Sequence, residues 1–331
     1  MDEKNIQPEE QVNTPTQEEV IASLVDTQKR TNKFLIIFGA VGAVFAITTV
    51  VLLCILLGGK DEPVKNDNQS SHSQNQGNNV VYSEGLEFTS NGDGTCSVSG
   101  IGTCTDTDIV IPLTSPAGDS VTTIGFFAFS SCDSLTSVTI PDSVTTIDNY
   151  AFSWCYSLTS VTIPDSVTTI GNQAFSSCDS LTSVTIGDSV TTIGERAFNG
   201  CSSLTSVTIP DSVTTIGSYA FSDCTSLTSV TIPDSVTYIG EYAFSYCTSL
   251  ASITIPDSVT TIGWYAFEDC RNLKSVTIGD SVTTIGYGAF ASCTSLTDVY
   301  YKGSEAEWAE ISIYGENDAL INANITYNYT E

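Results

Sequence analysis

Hydrophobic and polar positions repeat with a period of 23 residues between residues 119 and 302. One unit, residues 158–178, has the pattern Leu-x-x-Val-x-Ile-Pro-Asp-Ser-Val-x-x-Ile-Gly-x-x-Ala-Phe-x-x-Cys. Val161 and Ile163 alternate with a polar residue, which predicts a short strand whose apolar side faces inward. Eight Ala-Phe pairs keep the same spacing along the chain, and a fixed period of this length is typical of a solenoid. The pattern therefore predicts a β-rich solenoid of about nine rungs.

Both ends of a solenoid need a cap, because an open rung exposes apolar side chains and strand edges. At the N-terminal end, the Asn-Gly-Asp-Gly sequence at residues 91–94 predicts a β-hairpin. At the C-terminal end, we expect a short helix at residues 304–310 and a closing strand at residues 325–327. The predicted units are an N-terminal cap with the first rung at residues 82–118, the 23-residue repeats at residues 119–302, and a C-terminal cap at residues 303–331.

A segment of different composition precedes the repeats. Residues 34–57 are 24 consecutive residues without a charge, and a helix of that length can cross a bilayer. A polar, acidic stretch comes before this segment, which does not fit a cleaved signal peptide, so we expect an uncleaved signal-anchor helix. Residues 58–81, rich in Asn, Gln and Ser, predict a disordered linker.

Cations on either side of residues 34–57 indicate the orientation. Three Lys or Arg residues stand just before this segment and two stand just after it. Because cytoplasmic flanks carry the excess of cations, residues 1–33 are predicted to form a cytoplasmic tail. We therefore expect a single-pass protein of the cell membrane, with the lipid bilayer around residues 34–57 and the repeats outside the cell.

Composition excludes several functions. The chain has 38 Asp and Glu against 10 Lys and Arg, with a formal net charge of -28 at pH 7. Nucleic acid is excluded as a partner, because a phosphate backbone needs a cationic surface. The single histidine, His72, lies in the polar linker, and no glycine-rich phosphate loop follows a strand. We therefore predict no catalytic residue, no metal site and no cofactor, although a carboxylate pair that acts on a carbohydrate stays open.

The unit Ile-Pro-Asp-Ser-Val-Thr-x-Ile-Gly-x-x-Ala-Phe-x-x-Cys-x-Ser-Leu resembles the repeat of the BspA-type leucine-rich-repeat family. This resemblance covers about residues 85–329. It implies a leucine-rich-repeat solenoid, a right-handed superhelix with N- and C-terminal caps, in a protein that binds or adheres at a cell surface. The fold class predicted for the whole chain adds one N-terminal transmembrane helix to this solenoid.

One cysteine per rung forms a column in the predicted solenoid. The spacing does not match a zinc site. Equivalent side chains on in-register strands point the same way rather than at one another, which disfavours disulfides. We therefore predict a structural core ladder of buried thiols, while a disulfide between Cys96 and Cys104 in the cap stays open. The ladder comprises Cys132, Cys155, Cys178, Cys201, Cys224, Cys247, Cys270 and Cys293.

Three other columns are candidates for binding. Asp recurs once per rung as a turn residue, with weak binding of divalent cations as a hypothesis. Ser and Thr alternate along the strand face, where solvated β-forming residues explain them more simply than an ice-binding surface. Variable positions hold aromatic residues, which either contact a protein or sugar ligand or stack from rung to rung. The candidate ligand-binding residues are Tyr150, Trp154, Tyr219, Tyr242, Tyr246, Trp264 and Tyr265.

Together these features predict a membrane-anchored, cell-surface leucine-rich-repeat protein that is not an enzyme. Its expected role is binding or adhesion to an extracellular macromolecule, which is a host protein, another cell or a glycan. Three alternatives stay open: a structural envelope spacer without its own ligand, a carbohydrate-acting enzyme, and an ice-binding surface.

Overall fold

The computed structural model of the protein describes residues 80–330. The predicted cytoplasmic tail at residues 1–33, the predicted transmembrane helix at residues 34–57 and nearly all of the linker at residues 58–81 lie outside the described residues. Within residues 80–330, no helix has the length and apolar character needed to cross a membrane.

Most rungs contribute two short strands, one with the sequence Ser-Val-Thr and one with the sequence Thr-Ile. An eleven-stranded sheet contains β1 (Glu87–Ser90), β2 (Thr95–Gly100), β4 (Ser120–Ile124), β6 (Thr146–Ile147), β8 (Thr169–Ile170), β10 (Thr192–Ile193), β12 (Thr215–Ile216), β14 (Tyr238–Ile239), β16 (Thr261–Ile262), β18 (Thr284–Ile285) and β20 (Ser312–Ile313). A six-stranded sheet contains β3 (Asp108–Val110), β5 (Ser137–Thr139), β7 (Ser160–Thr162), β9 (Ser183–Thr185), β11 (Ser206–Thr208) and β13 (Ser229–Thr231). A four-stranded sheet contains β15 (Ser252–Ile255), β17 (Ser275–Ile278), β19 (Asp298–Tyr301) and β21 (Asn324–Thr326).

Neighbouring rungs pair in parallel and in register. Val161 of β7, for example, lies beside Val138 of β5 and Val184 of β9. Because side chains alternate along a strand, this register keeps the central Val or Ile of each Ser-Val-Thr strand on the inner face. Equivalent residues therefore form continuous columns along the solenoid.

The described residues form a solenoid of about ten turns, one more than the sequence predicts. The additional turn ends in β21, where Asn324 lies beside Asp298, a spacing of 26 residues rather than 23. The expected closing strand at residues 325–327 is therefore present but begins one residue earlier and completes a full turn. The Thr-Ile strands were also not expected, because two residues are too few to show an alternating pattern.

An N-terminal hairpin covers one end of the stack. β1 pairs with β2 in antiparallel orientation, and β2 then pairs in parallel with β4, the first Thr-Ile strand. In the turn, Asp93 accepts a hydrogen bond from the Thr95 backbone N–H at 3.0 Å. The hairpin expected around residues 91–94 is therefore confirmed.

Two short helices lie in the C-terminal cap. Helix α1 (Glu305–Trp308) begins with a capping box, in which Ser304 and Glu307 exchange side-chain and backbone hydrogen bonds, and it confirms the helix expected at residues 304–310. Helix α2 (Asp318–Ile321) was not expected from the sequence. The buried Asn317 joins this cap to the last rung, because its side chain accepts from the Phe290 N–H and donates to the Gly286 carbonyl.

A column of phenylalanine rings runs through the core. Adjacent ring centroids are 5.1–5.5 Å apart and adjacent ring planes differ by 2–11°. Offset stacking at this distance adds attraction to the burial of each ring. The column consists of Phe129, Phe152, Phe175, Phe198, Phe221, Phe244, Phe267 and Phe290.

The cysteine column lies next to these rings. All ten cysteines between residues 80 and 330 are free thiols, including Cys96 and Cys104 in the N-terminal cap. From Cys155 to Cys293, each Sγ donates to a Phe carbonyl of the preceding rung at 3.0–3.3 Å. Cys132 is half-buried, whereas the seven later thiols are buried. Besides filling space, each buried thiol thus joins two rungs.

Threonine hydroxyls also connect most of the rungs, at the position before the Ser-Val-Thr strand. Thr159 donates through Oγ1 to the Thr136 carbonyl at 3.1 Å, and Thr182 donates to Thr159 at 3.0 Å. Neither Ala251 nor Lys274 has a hydroxyl, and the series resumes at Thr297, which donates to the Lys274 carbonyl at 3.3 Å. The first interruption is at Ala251. The Ser-Val-Thr strands separate into two sheets at the same place, between β13 and β15. Between β13 and β15, the threonine bond and the strand pairing are therefore both missing.

Replacing Ala251 with Thr tests this interpretation. We expect Ala251→Thr to raise the free energy of unfolding by about 0.5–1 kcal/mol, because it restores one hydroxyl–carbonyl hydrogen bond between rungs and places a better β-forming residue there. Urea unfolding measures the change. The matched variant Thr182→Ala removes the equivalent bond and is expected to lower stability by a similar amount. A less stable Ala251→Thr protein would contradict this account.

Thiol reactivity tests the burial of the cysteine column. Burial raises the pKa of Cys132 to about 11, with a smaller effect from Asp133, and raises the pKa of Cys201 well above its usual value. Because the thiolate is the reactive form, a pKa raised by two units lowers reactivity at pH 8 by about a hundredfold. We expect Cys132 to be alkylated first among the ladder cysteines in the folded protein, as mapped by mass spectrometry. Rapid alkylation of Cys201 in the folded protein would show that the cysteine column is accessible to solvent.

Candidate binding surface

Six of the seven candidate aromatic residues occupy turns with a left-handed backbone. These turns follow each Thr-Ile strand and contain two residues with positive φ per rung. The first of these positions, with φ between 54° and 60°, defines the aromatic column. The exception is Trp264, which immediately precedes a column residue. The aromatic column contains Phe127, Tyr150, Gln173, Arg196, Tyr219, Tyr242, Tyr265 and Gly288.

Backbone hydrogen bonds between rungs fix this conformation. The Tyr242 N–H donates to the Trp264 carbonyl at 2.9 Å, and the Tyr246 N–H donates to the Glu268 carbonyl at 2.8 Å. A left-handed conformation costs a residue with a side chain about 1–2 kcal/mol, whereas Gly adopts it freely. Gly occupies this position only at Gly288 in the aromatic column. Because Gln173 and Arg196 have the same conformation, the hydrogen bonds between rungs hold it whether or not the side chain is aromatic.

Three successive tyrosines of the aromatic column stack on one another. The centroids of Tyr219 and Tyr242 are 4.5 Å apart, and those of Tyr242 and Tyr265 are 4.9 Å apart. At the N-terminal end of this stack, the Arg196 guanidinium lies 4.2 Å from the Tyr219 centroid. The three tyrosines are half-buried and cover one another's faces. Of the two roles considered from the sequence, ligand contact and stacking from rung to rung, these three tyrosines have the second.

A separate aromatic group lies nearer the N-terminal cap. Tyr150 stacks on Phe127 at 4.7 Å and lies 6.4 Å from Trp154, centroid to centroid. The Tyr150 hydroxyl also accepts from Gln173 Nε2 at 2.6 Å. Gln173 and Arg196 stand between this group and the tyrosine stack in the column. The seven candidate residues therefore form two groups rather than one surface.

Trp264 and Tyr246 lie outside the stack and are well exposed. Their exposed fractions are 55% for Trp264 and 41% for Tyr246. Trp264 packs beside Gly286, where an added Cβ would lie 2.7 Å from the indole Cδ1. We call Tyr242, Tyr246, Trp264 and Tyr265 the aromatic patch. Within it, Trp264 and Tyr246 have the accessible ring surface that a ligand needs.

Carboxylates surround the aromatic patch. The negative charge of Glu268 raises the pKa of the Tyr246 hydroxyl, and the charge of Asp269 acts in the same direction with a smaller effect. Burial raises the pKa of Tyr242, with added effects from Tyr219 and Glu268 among others. Glu268 itself is partly buried, and this burial, together with the charges of Asp269 and Glu316, raises its pKa. The patch is therefore aromatic and negatively charged at once.

Tyr287 extends the negative cluster toward the C-terminal cap. Its hydroxyl donates to the Glu316 carboxylate, and this hydrogen bond raises the pKa of Tyr287 to about 12. Its ring meets that of Tyr265 edge to face, with centroids 5.6 Å apart. The C-terminal cap thus contributes a carboxylate close to the patch.

Sequence reasoning missed the carboxylates of this surface. Glu241 and Glu268 occupy variable positions, held by other residue types in most rungs, so no repeated motif marks them. The left-handed turns were missed as well. The sequence did contain one signal for these turns. Glycine replaces a larger residue at Gly200 and Gly288, which are two of the positions with positive φ.

The aspartate column lies elsewhere, at the turns that follow the Ser-Val-Thr strands, and its seven members are exposed. The turn is closed by the backbone, as where the Val167 N–H donates to the Pro164 carbonyl at 3.0 Å. An open groove of about 750 Å³ lies beside part of this column, lined by residues that include Thr162, Asp165 and Asp188. Within residues 80–330, no three or more His, Cys, Asp or Glu side chains are arranged to hold a metal ion.

Comparison with solved structures gives several leucine-rich-repeat proteins of bacteria. One from Bacteroides ovatus is 26% identical, with 75% of this chain and 78% of that chain covered and a TM-score of 0.44. The Treponema pallidum leucine-rich-repeat protein is 27% identical, with 65% of this chain and 90% of that chain covered and a TM-score of 0.49. No curated protein matches the chain.

The family pattern described as the BspA type leucine-rich repeat region matches six copies, over residues 107–228 and 214–330. These matches extend from the first rung to the end of the C-terminal cap and cover more than half of the chain. The chain therefore belongs to the BspA-type leucine-rich-repeat family, as its repeat sequence indicated.

Proposed function

We propose that this protein is a membrane-anchored, cell-surface receptor or adhesin that binds a macromolecule through the aromatic patch. The observation that carries this proposal is the exposure of Trp264 and Tyr246 beside a rigid stack of tyrosines. Exposed aromatic side chains on a rigid support bind with little loss of conformational entropy. Such residues are frequent at the energetic centres of protein interfaces.

Membership of a leucine-rich-repeat family supports a binding role rather than catalysis. The anchoring part of the proposal relies on the sequence, where residues 34–57 carry no charge and are enough to cross a bilayer as a helix. A tether at residues 58–81 would give the solenoid freedom to reach a partner away from the membrane.

A structural spacer is the second candidate, and the ring stack favours it. Tyr219, Tyr242 and Tyr265 contact one another, so their presence needs no ligand. The same explanation does not extend to Trp264, since more than half of its surface is open to solvent. Removal of the exposed side chains distinguishes the two candidates, because a spacer does not depend on them.

The test is a binding screen of the full-length protein in nanodiscs against extracellular-matrix proteins and glycans. The variants are Trp264→Ala and Tyr246→Gly, where Gly avoids a left-handed residue with a side chain. We expect at least one ligand to bind the parent and to lose about tenfold in affinity with Trp264→Ala, because an interface-centre aromatic contributes at least that much.

Phe126→Ala is the matched control for this screen. Phe126 stands in the same column of the repeat as Trp264 and is 56% exposed, but it lies at the other end of the solenoid. Its loss is expected to leave binding unchanged. Absence of any ligand for the parent protein would contradict the receptor proposal and favour the spacer.

Protease added to intact cells tests the proposed orientation. Cleavage in the linker at residues 58–81 is expected to release a folded fragment that contains the repeats, because unstructured chain is cut before a packed solenoid. An antibody against the repeats detects the fragment in the medium, while a cytoplasmic marker protein stays intact. Repeats that are protected until the cells are permeabilised would show the opposite topology.

A further inference from the structure

Charge on the solenoid is strongly one-sided. Residues 80–330 contain 27 Asp and Glu against four Lys and Arg. Three of these four cations already pair with carboxylates of the same chain: Arg196 with Glu195, Arg271 with Asp269, and Lys302 with Asp257. A cationic partner is therefore attracted over the whole surface, and an anionic one is repelled.

The aromatic patch concentrates this charge next to accessible rings. The Tyr246 N–H donates to the Glu268 carbonyl at 2.8 Å, and an added Cβ at Gly263, the residue before Trp264, would lie 2.7 Å from the Glu241 backbone N. Both carboxylate residues therefore lie beside the exposed rings, and Glu268 also raises the pKa of Tyr246. In the described part of the chain, no Lys or Arg pairs with Glu241 or Glu268. These carboxylates are available to an external cation.

The aromatic column already holds one guanidinium in the arrangement that such a ligand would adopt. Arg196 lies over the face of Tyr219 and pairs at the same time with Glu195. Glu195 and Glu241 occupy the same position of the repeat, two rungs apart, and Trp264 holds that position in the next rung. A planar guanidinium stacks on aromatic rings and pairs with carboxylates together, which an ammonium does less well.

We propose that the aromatic patch binds an arginine-containing segment of a basic protein. A guanidinium of the partner stacks on Trp264 or Tyr246 and pairs with Glu241 or Glu268. This inference rests on the proposed function and specifies its ligand. A glycan would also use the exposed rings, but neutral sugars gain nothing from the surplus of negative charge, so the protein ligand is favoured.

The experiment measures binding to the full-length protein in nanodiscs by fluorescence anisotropy. The probes are a labelled 12-residue peptide of alternating Gly and Arg, its Gly-Lys and Gly-Glu counterparts, and a panel of neutral oligosaccharides. We expect the Arg peptide to bind several-fold more tightly than the Lys peptide, the Glu peptide not to bind, and affinity to fall with added salt.

Variants locate the binding. Trp264→Ala is expected to weaken the Arg peptide about tenfold, and Glu268→Gln about threefold, because it removes one charge at constant shape. Phe126→Ala, matched in exposure and repeat position, is expected to bind as the parent does. Far-UV circular dichroism of each variant establishes that the solenoid is folded.

The other outcomes separate the two proposals. An oligosaccharide or a non-basic matrix protein that binds through Trp264, without the Arg peptide, overturns this inference and leaves the proposed function in place. Equal binding of the Arg peptide to the parent, to Trp264→Ala and to Tyr246→Gly also overturns the inference, because it indicates diffuse charge attraction. Absence of binding to every probe and every matrix protein overturns both proposals.

Discussion

Register between neighbouring rungs is the constraint on which the whole structure depends. One unit of 23 residues has no second layer of its own against which to bury its apolar side chains, so it is stable only when another unit stacks on it. Three sets of contacts join each rung to the next: the parallel strand pairs, the stacked phenylalanine rings and the thiol–carbonyl hydrogen bonds. Each set links residues at fixed positions of the repeat. A shift of one residue would break all three sets of contacts at once and turn apolar side chains outward.

The same register turns single substitutions into surface features. A tyrosine at the first left-handed turn position of three successive rungs becomes a stack of rings, because Tyr219, Tyr242 and Tyr265 are placed at one inter-rung spacing. Positions that the core does not use are free to vary, so Glu268 and Trp264 can differ from their equivalents without disturbing the stack. A rigid scaffold with a variable outer layer suits a family of binding proteins.

Much of the solenoid could be predicted from the sequence. Residues buried in the core, such as Val161 and Phe175, must be apolar in every rung, so they recur at a fixed interval along the chain. The two-residue strands could not be predicted, because a strand such as Thr169–Ile170 is too short to show an alternating pattern. The last turn was missed because β21 lies 26 residues after β19, outside the period of 23. The aromatic residues were identifiable by type, but whether each one stacks or is exposed depends on ring orientation, which separates Tyr242 from Trp264. The carboxylates near the aromatic residues come from different rungs and do not recur in the repeat, so no pattern in the sequence identifies them.

Deletion of one rung tests the central claim about register most directly. Removal of residues 160–182 takes out 23 residues and joins Thr159 to Ser183, which restores the repeat, whereas removal of residues 160–181 takes out 22 and shifts every later column by one. Thermal unfolding followed by circular dichroism compares the two proteins. The account predicts one cooperative transition, at a slightly lower Tm than the parent, for the 23-residue deletion, and loss of cooperative unfolding for the 22-residue deletion. Equal behaviour of the two deletions would contradict it.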